Sequence, residues 1–290
     1  MGAFLVVLSA LGFSTLGIFG RFAYDAGFSR DQMLFWRFLF ALPFFAGLLR
    51  LNRISIQSKK RFLTAMALGF VGIGIEASLY FLTLVHLGAA LTGIFLYLYP
   101  AFVAIFSHFF LGKRLSVSVW LCIALSLVGC FLTAGLSTDP SAPSADRLGI
   151  LYGILTGLWY AVYLLCGERV MKDENPLVVS SGIVSGSLLV FAILSFSHFA
   201  SVPLKVPAGW SEWCAIAGLA LIATVLPFST LYVGMKRVGA TQASLLSTLE
   251  MVFTIVLAAV FLGEKLTLVQ IFGAALILLS VLLIQRLRTE

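Results

Sequence analysis

The sequence predicts an all-α integral membrane protein of ten transmembrane helices, arranged as two inverted five-helix repeats. Three features carry that prediction. Apolar runs of about 20 residues, the length a helix needs to cross a hydrocarbon core of about 30 Å, recur along the chain. Lysines and arginines collect in alternate connections between those runs. One apolar segment of the first half can also be laid without gaps on a segment of the second half.

The composition makes lipid the solvent for most of the chain. With 61% hydrophobic and 11% charged residues, and a mean hydropathy of +1.07, too little charge is present to cover a soluble surface. A transmembrane barrel would show alternating segments of about 10 residues, and these runs are longer and unbroken. The net charge of +7 sits in short connections, which reads as membrane sidedness and not as a nucleic-acid surface. Cys122 and Cys130 share one span, while Cys166 and Cys214 lie near span ends. None has metal-ligand spacing, so all four read as packing residues, and neither a metal nor a cofactor is expected. The opening MGAFLVVLSALGFSTLG lacks a basic n-region and reads as the first span.

Charges, prolines and polar clusters bound the spans. They are expected at Gly2–Gly20, Gln32–Leu49, Phe62–Leu84, Ala89–Leu111 and Val117–Gly135, and then at Leu148–Gly167, Leu177–His198, Trp213–Met235, Ala240–Leu262 and Leu266–Gln285. The polar stretch STDPSAPSAD separates the two sets. Residues 1–136 thus form the first repeat, 137–147 a periplasmic connection and 148–290 the second repeat.

Arg50, Arg53, Lys59, Lys60, Arg61, Lys113, Arg114, Arg169, Lys172, Lys236, Arg237, Arg286 and Arg288 fall on one side. Only Arg21, Arg30, Arg147, Lys205 and Lys265 fall on the other. The first side is predicted to be cytoplasmic, with both termini inside a cell (inner) membrane.

The repeat pairs VHLGAALTGIFLYLYPAFVAIFSHFFLGKRLSVSVW with KRVGATQASLLSTLEMVFTIVLAAVFLGEKLTLVQI, setting Gly88 on Gly239 and Phe110-Leu111-Gly112 on Phe261-Leu262-Gly263. Five spans per half is an odd number, so the second half must enter the membrane upside down. Inverted repeats characterise secondary transporters, whose halves exchange inward-open and outward-open forms around a midplane site.

Together with LGFSTLGIFGRFA in the first span and SRDQMLFWRFLFAL in the second, the paired FLGKRLS and FLGEKLT hinges resemble the EamA branch of the drug/metabolite transporter superfamily. The resemblance covers nearly the whole chain. It implies export or uptake of amino acids and related metabolites, driven by ion or solute exchange with protons or a counter-solute. Several relatives carry Trp before the Ser-Thr of the first span, where this chain has Phe13; the second half keeps Trp159 at the corresponding place.

Ionisable groups inside a membrane are costly, at least about 2.5–3.5 kcal/mol at a helix centre, and so point to cavities or partners. Glu76 shares a helical face with Gly69, Gly72, Tyr80 and Thr83. It is a candidate for binding a substrate ammonium or a coupling proton, or for a structural ion pair. Glu250 lies on a ribbon with Ser244, Ser247 and Thr254, and is the repeat mate of Tyr99. That ribbon suits either a cavity wall or a tight helix interface.

Tyr80, Tyr97, Tyr99, Trp159, Tyr160 and Tyr163 lie within spans, where their faces and polar tips would suit an amine-bearing substrate. Ordinary packing is the other reading of each. The substrate-binding set expected from these arguments is Glu76, Tyr80, Tyr99, Trp159, Tyr163, Ser247 and Glu250. Arg37 reads as structural or coupling, paired with an acid or a helix end. Pro100 and Pro227 fall inside spans and mark irregular backbone, and Pro227 is the repeat mate of Glu76. Gly153-xxx-Gly157 and Gly182-xxx-Gly186 read as close helix contacts.

HExxH, GxSxG, the intramembrane aspartyl pair and the P-loop are all missing from the sequence, so a membrane hydrolase or an ATP-driven pump is not expected. A flippase for a lipid-linked substrate is the alternative to a solute carrier.

Overall fold

Hydrocarbon offers the backbone no water, so each N–H and C=O must be satisfied within its own segment, and helix is the open form that achieves this. The computed structural model describes residues 1–112, 114–133, 147–172, 174–196, 203–262 and 267–286, and no strand occurs among them. The connection 137–146 lies outside the described residues, as do Lys113, His198, Gly263, Glu264, Lys265 and Arg288.

The helices are α1 (Gly2–Ser14), α2 (Leu16–Asp25), α3 (Arg30–Leu51), α4 (Lys59–Ala67), α5 (Gly74–Leu96), α6 (Tyr99–Leu111) and α7 (Val117–Thr133), followed by α8 (Arg147–Met171), α9 (Pro176–Phe196), α10 (Trp210–Ala220), α11 (Leu226–Val238), α12 (Ala240–Ser247), α13 (Leu249–Leu262) and α14 (Leu268–Arg286). Eight stretches are long and apolar enough to cross a membrane: Gly2–Asp25, Arg30–Leu51, Lys59–Leu87, Thr92–Leu111, Arg147–Met171, Pro176–Phe196, Trp210–Val238 and Ala240–Phe261. Two shorter apolar helices, Val117–Thr133 and Leu268–Ile284, join them. At 1.5 Å per residue the 17-residue α7 is roughly 25 Å long.

Several expected spans are not uniform helices. The first breaks at Thr15, where the Ser14 hydroxyl donates to the Leu11 carbonyl and the Thr15 hydroxyl to the Gly12 carbonyl, each at 2.7 Å. Such back-bonding competes with the helix ladder. π-helical segments interrupt two others, Leu68–Ile73 between α4 and α5 and Leu221–Val225 between α10 and α11. Two more break between α5 and α6 and at Thr248 between α12 and α13. The alignment that sets Gly88 on Gly239 also sets Leu68–Ile73 on Leu219–Thr224, and Tyr97-Leu98 on Thr248-Leu249. Both kinds of irregularity therefore recur at matching places.

The described chain divides into two compact units: residues 1–74 with 167–237, and 75–166 with 238–290. Each takes helices from both halves of the sequence.

In the first unit, glycines let backbones touch. A Cβ at Gly69 would lie 2.0 Å from the Ile183 carbonyl oxygen, and one at Gly186 would lie 1.8 Å from that of Met66. As the contacts run from Gly182 with Ala65 to Gly74 with Val190, both chains advance together, so α4, its π segment and α9 are parallel. Gly12 and Gly234 bring α1 against the second π segment and α11 in the same close way.

A strap at Pro203–Ala208 is tied to the start of α3. Gln32 Nε2 donates to the Pro203 carbonyl at 2.7 Å, and Trp36 Nε1 to the Lys205 carbonyl at 2.8 Å. Lys205 donates to the Ala26 carbonyl, pairs with Glu212 at 2.9 Å, and lies 4.9 Å from the centre of the Phe28 ring.

In the second unit, α7 packs on α14. Gly129 meets the backbone of Gly273, while Ser280 Oγ donates to the Cys122 carbonyl at 2.7 Å. One chain advances as the other recedes, so the two helices are antiparallel. Gly153 and Gly157 receive Phe95 and its carbonyl.

Candidate substrate site

Most residues singled out by the sequence fall in the second unit. Glu76, Tyr80, Tyr97, Tyr99, Pro100, Trp159, Tyr160, Tyr163, Ser247 and Glu250 belong to it, whereas Arg37 and Pro227 belong to the first.

The helix breaks shape the centre of the second unit. Where α12 stops, its last carbonyls lose their intrahelical partners. The Tyr99 hydroxyl donates to the Ser244 carbonyl at 3.1 Å, and the Thr248 hydroxyl to that of Leu245 at 2.7 Å. Ser126 Oγ donates in turn to Thr248 Oγ1 at 3.0 Å. Thr241 Oγ1 and Ser107 Oγ are bonded at 3.2 Å, and Thr83 and Thr156 lie 3.3 Å apart. Part of the polar ribbon beside Glu250 is thus spent on holding helices together. Pro100 occupies the first turn of α6, where a missing N–H is harmless.

A tyrosine cluster adjoins this break. The rings of Tyr99 and Tyr160 meet edge-to-face with centres 4.7 Å apart, Tyr160 and Tyr163 stack at 5.8 Å, and Tyr97 lies 6.2 Å from Tyr99. Tyr97, Tyr99 and Tyr163 are buried, while Tyr160 is half-buried. Glu250, in the first turn of α13, is within electrostatic reach of Tyr97, Tyr99 and Tyr160; Glu76, in the first turn of α5, is within reach of Tyr160. Ser247 Oγ is close to the Tyr99 hydroxyl. Glu76, Tyr80, Trp159, Ser247 and Glu250 are half-buried, so each keeps a reachable surface.

Tyr97 and Tyr160 are as central to this cluster as the expected Tyr99 and Tyr163. Their place within spans was the available signal, but ring-to-ring geometry depends on how α5, α6 and α8 meet. Among the described residues, no group of three His, Cys, Asp or Glu side chains could hold a metal ion.

In the first unit Arg37 is buried, and it has a specific local task. Pro227 has no N–H, so the Ala223 carbonyl four residues earlier loses its helical donor. Arg37 supplies one, with Nη2 donating to that carbonyl at 2.8 Å and Nε to Thr224 Oγ1 at 2.5 Å. Pro227 itself returns a carbonyl to Ser9 Oγ at 3.0 Å. The expectation that Arg37 pairs with a helix irregularity thus acquires two named partners.

Comparison with known proteins adds the family. The model of the EamA-like transporter family matches residues 1–135 and 147–286. The chain belongs to this family. As an EamA-like chain it is a transporter of the membrane type, and it is not an enzyme.

Among its relatives, the uncharacterized transporter YcbK of Bacillus subtilis (strain 168) is 26% identical over 277 residues, covering 94% of this chain and 88% of its own. An uncharacterized transporter of Archaeoglobus fulgidus is 28% identical over 290 residues, covering 98% of this chain and 96% of its own. The threonine/homoserine exporter RhtA of Escherichia coli (strain K12) is 25% identical over 185 residues, 62% of this chain and 56% of its own. One solved crystal structure superposes with a TM-score of 0.83 over 99% of this chain and 96% of that one, at 20% identity, and so shares the fold.

Proposed function

We propose that this EamA-like protein is a secondary transporter that exports small organic metabolites, amino acids or related amines, by alternating access around a midplane site. The observation that carries the reading is the recurrence of two irregular features, a π segment and a helix break, at matching positions of the two sequence halves. Transporters place substrate sites at such discontinuities near the membrane centre.

Residues 1–136 and 148–290 are the two repeats in this account, joined by a periplasmic connection at 137–147. Their inversion is supported by the antiparallel packing of α7 and α14, which the alignment makes equivalent. Ten crossings, both termini in the cytoplasm and a cell-membrane location follow from the Lys/Arg bias.

Glu76, Tyr80, Tyr99, Trp159, Tyr163, Ser247 and Glu250 line the substrate path in this proposal. Arg37, Pro100 and Pro227 maintain the irregular backbone that shapes it. Export of an amino acid is suggested by the name of RhtA, the most specific among the relatives given. A proton or a counter-solute drives the cycle.

A flippase for a lipid-linked substrate would need a polar groove open to lipid. The cavity of about 240 Å³ beside Phe40, Phe44, Trp210 and Trp213 is instead walled by apolar groups and does not favour that reading.

Tracer counterflow into liposomes containing the purified protein tests the carrier reading. Uptake of at least one labelled metabolite against its own unlabelled pool, from a panel of amino acids and amines, is expected. No movement of any solute by folded protein would refute it.

A further inference from the structure

The substrate class follows from a charge count, and this step rests on the carrier reading above. Of the 19 basic and 12 acidic residues, nearly all lie in connections or end turns. Three charged side chains stand near the middle of spans: Arg37, Glu76 and Glu250. Even with Arg37 counted against the acids, one negative charge is left over. An unbalanced charge at this depth is costly, so a cation from outside must accompany the ionised form.

The surroundings of Glu250 say what kind of cation. The aromatic residues Tyr97, Tyr99 and Tyr160 stand within its electrostatic reach, and ring faces attract cations, most strongly where water is excluded. A hard metal ion would need several oxygen ligands at once, and aromatic rings with one carboxylate suit an organic ammonium better. Two further features fit a carboxylate that is used reversibly. Glu250 is half-buried and so can be reached. It also stands one residue past a helix start, where the N-terminal end of the helix dipole favours its ionised form.

The charged and titratable groups around Glu250 are few. Tyr97 stands at the α5–α6 break, Tyr99 on α6, Tyr160 on α8 and Cys130 on α7 beside the two buried tyrosines; Glu76 on α5 acts on the same Tyr160. None of these is a base.

We infer that the solute is an organic monocation, a primary or substituted ammonium with an apolar body, bound at Glu250 between Tyr97, Tyr99 and Tyr160, and exchanged there for a single proton. One ammonium replaces one proton at the carboxylate, so the cycle moves no net charge. A zwitterionic amino acid would bring its own carboxylate into a site that already holds the surplus negative charge.

Three probes of one shape isolate this term: labelled phenethylamine, phenylalanine and phenylpropionate carry a net positive, zero and negative charge on similar apolar bodies. In liposomes holding the full chain, phenethylamine counterflow is expected to exceed that of the other two at least tenfold. It should rise with an opposing pH gradient and be indifferent to a potassium diffusion potential. Glu250→Gln should abolish it, and Glu250→Asp should restore a part. Tyr99→Phe, which keeps the ring face, should retain it.

Phenylalanine moving while phenethylamine does not would overturn the monocation inference and leave the carrier reading standing, as would full activity in a monodisperse Glu250→Gln protein. Failure of all three probes alongside movement of another amino acid would overturn it too. Failure of every solute tested would remove both.

Discussion

Replacing Gly186 by alanine tests the closest helix contact in the protein. The added Cβ would lie 1.8 Å from the Met66 carbonyl oxygen, 2.7 Å from the Met66 carbonyl carbon and 2.8 Å from the Phe70 nitrogen. All three are backbone atoms of α4 and the π segment that follows it, so no side chain can swing away. Contacts under 3.0 Å are essentially never seen for a real Cβ, and α9 must therefore withdraw by at least about 1 Å.

Withdrawal loosens the row of contacts that Gly69, Gly182 and Ser187 make along the same face. Overpacking of this kind costs about 1–3 kcal/mol and often more where backbone blocks relaxation. Thermal unfolding in detergent, followed by near-ultraviolet circular dichroism, should show a midpoint lowered by roughly 3–10 °C. Gly47→Ala, at a position with nothing within 4 Å of the new Cβ, is the matched control and should leave the midpoint unchanged or slightly raised. Equal midpoints for Gly186→Ala and wild type would refute the packing argument.

Other consequences concern single polar groups. Arg37→Met removes the donor to the Ala223 carbonyl and should destabilise the protein by about 1–3 kcal/mol, measured by the same unfolding assay. Pro227→Ala restores a backbone N–H four residues after Ala223, so the double variant should be less destabilised than the two single losses added together; strict additivity would contradict the proposed link. Lys205→Met removes an ion pair, a carbonyl contact and a ring contact at the strap, and proteolysis between Pro203 and Ala208 should accelerate severalfold while the core midpoint stays near wild type. Cys166 and Cys214 should react with a bilayer-permeant maleimide in the folded protein, and Cys122 and Cys130 only after denaturation.

The placement of apolar helices was legible in the sequence because burial in lipid requires nothing beyond a long apolar run. The Gly182-xxx-Gly186 contact was legible for a similar reason: only hydrogen permits such an approach of backbones. The π segments were not. Gly69, Gly72 and Pro227 hinted at irregular backbone, but a π turn forms only where a neighbour accepts the widened helix. Here Arg37 and Ile183, both remote in sequence, face the two segments. The break at Thr15 needed the side-chain rotamers of Ser14 and Thr15.

Of the candidate site, the acids and aromatics were visible from their cost in lipid. That Tyr99 spends its hydroxyl on the Ser244 carbonyl was not, because only the end of α12 creates that need. The compact units were likewise hidden, since each is assembled from both halves of the chain.

The central claim is that a midplane site opens to each side in turn. Ser247, half-buried beside Tyr99 and Glu250, is placed to report it. A Ser247→Cys variant, with the exposed Cys166 and Cys214 replaced by alanine, can be treated in sealed vesicles of both orientations with a membrane-impermeant thiol reagent. Alternating access predicts labelling from both sides, with transported solute shifting the balance between them. Labelling from one side only, unchanged by any solute, would contradict it.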